Sequence, residues 1–162
     1  MYYTNLSKYL QPAVRYNEIM NNLILDSGNY LLIIMYTALT VSWWKKRREA
    51  LIHALLSSLL AWIIAGFIKE IFPTPRPFPY DGTGSFPSGH AAAAFAFGVS
   101  AFLHDGPVGA VMLVGSLLIG VARVAGNVHY PVDILGGAVL GTIVAYLVLR
   151  LHIHKFLRHL GS

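Results

Sequence analysis

Apolar positions along the chain gather into five long runs: Asn29–Trp44, Ala50–Phe72, Ser88–Leu103, Val108–Val124 and Val132–Leu151. A helix on the surface of a soluble protein carries a polar outer stripe at a period near 3.6 residues, and these runs have almost none. Each approaches the ~20 residues that cross ~30 Å of hydrocarbon, with aromatic and polar ends extending the shorter ones. The pattern predicts an all-α integral membrane protein, a bundle of about five transmembrane helices. Residues 1–28 read differently. "VRYNEIMNNLIL" has apolar positions near helical spacing, and Asn21, Asn22 and the following Asp26 argue against the alternative, a sixth, poorly formed span. An amphipathic helix lying in the membrane interface is therefore expected before the first span. Small residues crowd the last three runs, in "HAAAAFAFG" and in the GxxxG pair Gly137 and Gly141, which predicts close helix packing.

Composition agrees with that picture. The 162 residues are 56% hydrophobic and 12% charged, about half the charged share of an ordinary soluble domain. The length fits one membrane domain, residues 1–162, with little room for a second. A net charge of +5 would suit nucleic acid, but the basic residues sit in short clusters between apolar runs. Nucleic acid is not an expected partner; the bilayer is. "KKRRE" at 45–49 and the tail "RLHIHKFLRHL" mark the cytoplasmic side by the positive-inside rule. With five spans, the "HDGP" turn and the C-terminus share that side. The outer, periplasmic side of the plasma membrane then receives "PTPRPFPYDGTGSFP" and "AGNVHYP". The first 25 residues lack an early apolar run, so no cleavable leader is expected. There is no cysteine for a disulfide or thiolate site.

The ionisable residues are concentrated where charge is costly, near the outer ends of the runs. In "KEIFPTPRPFP", Pro73 stops a helix and the alternating prolines favour a stiff extended segment. That segment would hold Arg76 near Lys69, a planar fork beside a compact charge, which suits a phosphate. The plainer alternative has Lys69 snorkelling to the interface and Arg76 on lipid headgroups. In "SFPSGHAAAAF", Ser88 and Gly89 open an Ala-rich helix whose free N–H groups form an anion site, with His90 in its first turn. Capping by Ser88 is the plainer role. In "GVARVAGNVHYPVDILGG", Pro131 suits a first helical turn, which sets His129 and Asp133 one turn apart. A carboxylate there can accept one imidazole N–H and leave the other nitrogen free as a nucleophile, or the pair can simply cap the helix. Gly126 and Asn127 supply a tight turn. Taken together, three cations with Arg123, a helix N-terminus, a His–Asp pair and a second His are the parts of a phosphoryl-transfer site.

These three stretches resemble the signature of the PAP2 superfamily, the type 2 phosphatidic acid phosphatases. The matching residues are Lys69, Arg76 and Pro77; "PSGH" at Pro87 to His90; and Arg123, His129 and Asp133 in "ARVAGNVHYPVD". The resemblance covers roughly residues 60–145. It implies a membrane lipid phosphatase in which His129 becomes a transient phosphohistidine, Asp133 orients it and His90 protonates the leaving oxygen. Lys69, Arg76 and Arg123 would hold the phosphate oxygens, with Ser88 and the Gly89 N–H adding hydrogen bonds. No metal or other cofactor is implied, and no residue grouping shows metal-ligand spacing. The compact build looks most like the small bacterial undecaprenyl diphosphate phosphatases. Phosphatidylglycerophosphate, phosphatidic acid and lipid A 1-phosphate are alternative substrates.

Two positions depart from the pattern. Ala122 stands where the family has Ser before the Arg, which removes one hydroxyl contact, and Asn127 replaces a common Gly but tolerates a left-handed conformation. Two competing functions follow. A phosphotransferase would pass the phosphoryl group to a second lipid instead of water. A non-enzymatic lipid-binding protein would keep the fold and lose the chemistry, with Ala122 as its only support.

Overall fold

A computed structural model describes the backbone of residues 3–77 and 84–151 and the side chains of 19–77 and 84–151. The described residues form five helices: α1 (Tyr3–Trp43), α2 (Arg48–Ile71), α3 (Gly89–His104), α4 (Gly106–Ala125) and α5 (Pro131–Leu151). Ile19–Trp43, α2, α4 and α5 are each long and apolar enough to cross a membrane, and α3 is a shorter apolar helix. The expected all-α bundle is thus present, and its boundaries lie close to the apolar runs. One element differs. The segment before the first run is helical, but it continues into that run as one 41-residue helix. Asn21, Asn22 and Asp26 do not interrupt it, because backbone bonding in a helix is local and tolerates polar side chains.

The short helix α3 is the axle of the bundle, packed by α2, α4 and α5. Its sequence explains why. Ala91, Ala92, Ala94, Ala96 and Ala101 are fully buried, and such small side chains let three neighbours close on one helix. Gly137 and Gly141 complete the fit from α5. A methyl group on Gly137 would fall 2.6 Å from the Ser88 carbonyl oxygen, and one on Gly141 would fall 2.4 Å from that of Ala92. The GxxxG pair is therefore a close helix–helix contact. On α4, a methyl group on Gly109 would fall 2.0 Å from Phe102 Cα, so this glycine too marks a close helix–helix contact. Buried hydroxyls tie the helices across these seams: Ser116 Oγ donates to the Ala94 carbonyl at 2.7 Å, and Ser58 Oγ to that of Ala93 at 3.0 Å. In contrast, Val114, Leu117 and Val121 of α4 and Leu135, Val139 and Ile143 of α5 face outward. Leucine-rich outside and alanine-rich inside is the distribution expected where lipid is the solvent.

The two ends of the bundle carry different chemistry. At one end the α1–α2 loop meets the α3–α4 turn: Arg47 pairs with Asp105 at 3.3 Å and donates to the His104 carbonyl at 3.0 Å. Asp105 also caps α4, accepting from the Val108 N–H at 3.2 Å. This joins "KKRRE" and "HDGP" on one face, as the span count requires. The Pro-rich segment and the α4–α5 turn lie at the opposite end. Asp81 and the tail residues His152, His154, Lys155 and Arg158 lie outside the described residues.

Candidate active site

Each sequence-marked residue falls at that second end. Lys69 is in the last turn of α2, Arg76 in the following loop, and Ser88 is the N-cap of α3. Gly89 and His90 form the first turn of α3, Arg123 is in the last turn of α4, and Asp133 is in the first turn of α5. His129 occupies the turn between α4 and α5.

That turn is built as the sequence suggests. Asn127 adopts a left-handed conformation, φ 58°, which Asn accepts more readily than most residues. The Val128 N–H donates back to the Arg123 carbonyl at 3.2 Å, so Arg123 and His129 are tied to one turn. Pro131 then starts α5. His129 Nδ1 lies 3.4 Å from Asp133 Oδ2, a long hydrogen bond between two buried side chains, 5% and 2% exposed. With Nδ1–H donating, the lone pair on Nε2 is left for attack. The same Asp133 oxygen accepts from the Tyr130 N–H at 2.8 Å and from the Ser85 hydroxyl. The carboxylate is thus fixed before it orients anything.

Positive charge surrounds the imidazole. Burial, then Lys69, then Arg76 push the His129 pKa from 6.5 down to about 4, and Asp133 only partly opposes them. The ring is therefore neutral near pH 7, the form a nucleophile needs. Arg76 reaches this turn directly, donating to the Val128 carbonyl at 3.2 Å. Its loop is stitched to the start of α3: the Ser85 N–H donates to the Thr74 carbonyl at 3.1 Å, and the Phe86 N–H to Thr74 Oγ1 at 2.8 Å. Gly84, at φ 80°, lets the loop pass close to the aliphatic stem of Lys69. His90 lies within electrostatic range of Arg123, His129 and Lys69.

Ser88 is held more tightly than an open anion site requires. Its Oγ accepts from the Ala91 N–H at 3.4 Å, the capping role, and its own N–H donates to the Asp133 carbonyl at 2.9 Å. Only its hydroxyl hydrogen is left for a ligand. The N–H groups of Gly89 and His90, which no helical carbonyl can reach, make no bond among the described residues. Arg123 is 7% exposed, and its Nη2 donates to Asn29 Oδ1. Sequence reasoning missed Asn29, Ser85 and Thr74. Single polar residues without a spacing partner gave it no signal.

A helical membrane bundle with a buried, cation-lined His–Asp pair at one rim defines the class, an integral membrane protein with a phosphate-type site. The family follows from comparison: the sequence profile described as "PAP2 superfamily" matches residues 50–156, and the chain belongs to that family. It is 25% identical over 156 residues to "Undecaprenyl-diphosphatase BcrC" of Bacillus subtilis, covering 88% of this chain and 80% of that one. It is 28% identical over 148 residues to "Phosphatidylglycerophosphatase B" of Bacillus subtilis, covering 82% and 73%. The crystal structure of Aquifex aeolicus LpxE superposes with a TM-score of 0.63 at 26% identity, covering 82% of this chain and 85% of that one.

Proposed function

We propose that this protein is a membrane phosphatase that hydrolyses a lipid diphosphate, undecaprenyl diphosphate being the best candidate, through a phosphohistidine on the outer side of the membrane. The observation that carries this reading is the buried His129–Asp133 pair beside Lys69 and Arg76, with His90 on the facing helix in range of both His129 and Arg123. Neutral His129 Nε2 attacks the terminal phosphorus. The P–O bond to the lipid phosphate breaks, and His90 gives its proton to the departing oxygen. Cationic groups neutralise the three equatorial oxygens, joined by the Gly89 N–H and the Ser88 hydroxyl. Water then attacks the phosphohistidine, His90 recovers a proton from it, and inorganic phosphate leaves.

The diphosphate substrate draws support from the BcrC relative, whose name states that activity. A monophosphate such as phosphatidylglycerophosphate is the second reading, favoured by the Bacillus relative named for it. Sidedness draws support from Lys45, Lys46, Arg47 and Arg48, which lie at the end of the bundle opposite the site. The test is phosphate release by purified protein from undecaprenyl diphosphate, phosphatidylglycerophosphate, phosphatidic acid and lipid A 1-phosphate, with His129→Ala alongside. Release from the diphosphate that disappears in His129→Ala supports the reading. No release from any of the four, or equal release by the variant, refutes it.

A further inference from the structure

The first helix contributes a polar side chain to the phosphate site although the family profile begins only at residue 50. α1 crosses the end of α4 at small residues. A methyl group on Gly28 would come within 3.2 Å of Ala122 Cβ, and one on Gly126 within 2.6 Å of Leu25 Cδ2. This close crossing brings the short side chain of Asn29 to Arg123, where its Oδ1 accepts from Nη2. Asn29 makes no other side-chain bond among the described residues. Arg123 Nε, in turn, is buried without a hydrogen-bond partner. A buried guanidinium held at one nitrogen and unsatisfied at another is missing an acceptor, and a bound phosphate supplies one.

The chemistry of the anchor matters as much as its place. A carboxylate would hold Arg123 more strongly but would cancel the charge that a phosphate has to meet. An amide oxygen fixes the guanidinium and leaves its full charge available. Asp26, the acid of α1 that acts on Arg123 electrostatically, is exposed and makes no hydrogen bond to it.

We infer that Asn29 is a positioning residue for the phosphate clamp: it sets Arg123 in the site through a neutral hydrogen bond from a helix outside the matched family core. The inference rests on the reading of Arg123 as a phosphate ligand.

The test uses full-length protein in detergent with four variants: Asn29→Ala, Asn29→Asp, Arg123→Lys and the double variant Asn29→Ala/Arg123→Lys. The readouts are KM and kcat for undecaprenyl diphosphate, Ki for orthovanadate, and the melting temperature. Asn29→Ala is expected to raise KM and Ki roughly 5- to 10-fold, the scale of one ordinary intramolecular hydrogen bond, because Asn29 acts on the ligand only through Arg123. It should add less than about twofold to Arg123→Lys, because coupled residues are not additive. Asn29→Asp should fold at least as stably as wild type yet fail to restore vanadate affinity, whereas a merely structural bond predicts that it would. Equal fold losses from Asn29→Ala in both backgrounds, or full affinity in Asn29→Asp, overturn the inference. If Arg123→Lys alone leaves KM and Ki unchanged, Arg123 is not a phosphate ligand, and that failure is visible separately from the other two.

Discussion

Replacing Asp133 with Asn tests the proposed division of labour most directly. When Nε2 bonds to phosphorus, positive charge develops on the ring, and the nearest counter-charge is Asp133 Oδ2. Two full charges separated by 3.4 Å interact by about 5 kcal/mol at an effective dielectric of about 20. Roughly half of that charge has developed in the transition state, so removing the carboxylate charge should cost about 2–3 kcal/mol, or about 30- to 150-fold in kcat. Asn retains an oxygen that can still accept from the Ser85 hydroxyl and the Tyr130 N–H, so the fold should survive. The assay is initial-rate phosphate release, with the melting temperature in detergent as the fold control. A variant that melts like wild type and keeps kcat within about threefold would refute the claim that Asp133 stabilises the cationic ring.

Four other outcomes follow from the same geometry. Because Lys69 and Arg76 help hold the His129 pKa near 4, the nucleophile's acid limb in kcat/KM should lie near pH 4. Arg76→Gln removes a cation that disfavours protonation, so it should move that limb upward toward 6.5, as a pH–rate series would show. Gly137→Ala puts a methyl group 2.6 Å from the Ser88 carbonyl oxygen; over-packing of about 1–3 kcal/mol should appear as a lower melting temperature together with lost activity. Ala122→Ser places its hydroxyl near the α1 crossing rather than clearly in the site, so kcat/KM should stay within about threefold of wild type. Cysteines placed singly at Lys46 and Asp81 should label from opposite sides of the membrane, Asp81 from outside.

Much of this arrangement was legible in the sequence because two strong signals coincide. Long apolar runs locate the helices, and charges at their ends locate the site. Lys69, Arg76, His90, Arg123, His129 and Asp133 could be found because each breaks an apolar pattern near a helix end. The His129–Asp133 bond follows from a four-residue separation across a helix start. Ser85 and Asn29 could not be found this way. A serine in a polar loop and an asparagine at the start of an apolar run look like ordinary local choices until folding brings them to Asp133 and Arg123. The long α1 was obscured for a related reason. Asn21, Asn22 and Asp26 weaken the apolar pattern without weakening the helix itself. Ser88 shows the opposite case, in which the plain capping role and the site role fall on one residue.

The central position of α3 has a consequence for how the protein lives in its bilayer. Membranes differ in thickness, and spanning helices accommodate the difference by tilting, at a modest cost per ångström. Here α3 is clasped by α2, α4 and α5, and its N-cap Ser88 is bonded to the first turn of α5. Lipid presses on the outer leucines and valines, while small residues lock the inner seams. Tilting should therefore turn these four helices as a body and leave the pairing of Ser88 with Asp133 intact. Helix α1 packs mainly on α4, with a smaller contact to α2 through the Tyr36–Ser58 hydrogen bond, so it is the member least tied to that body. Of the site's contacts, the one between Asn29 and Arg123 is then the one that senses the thickness of the surrounding membrane.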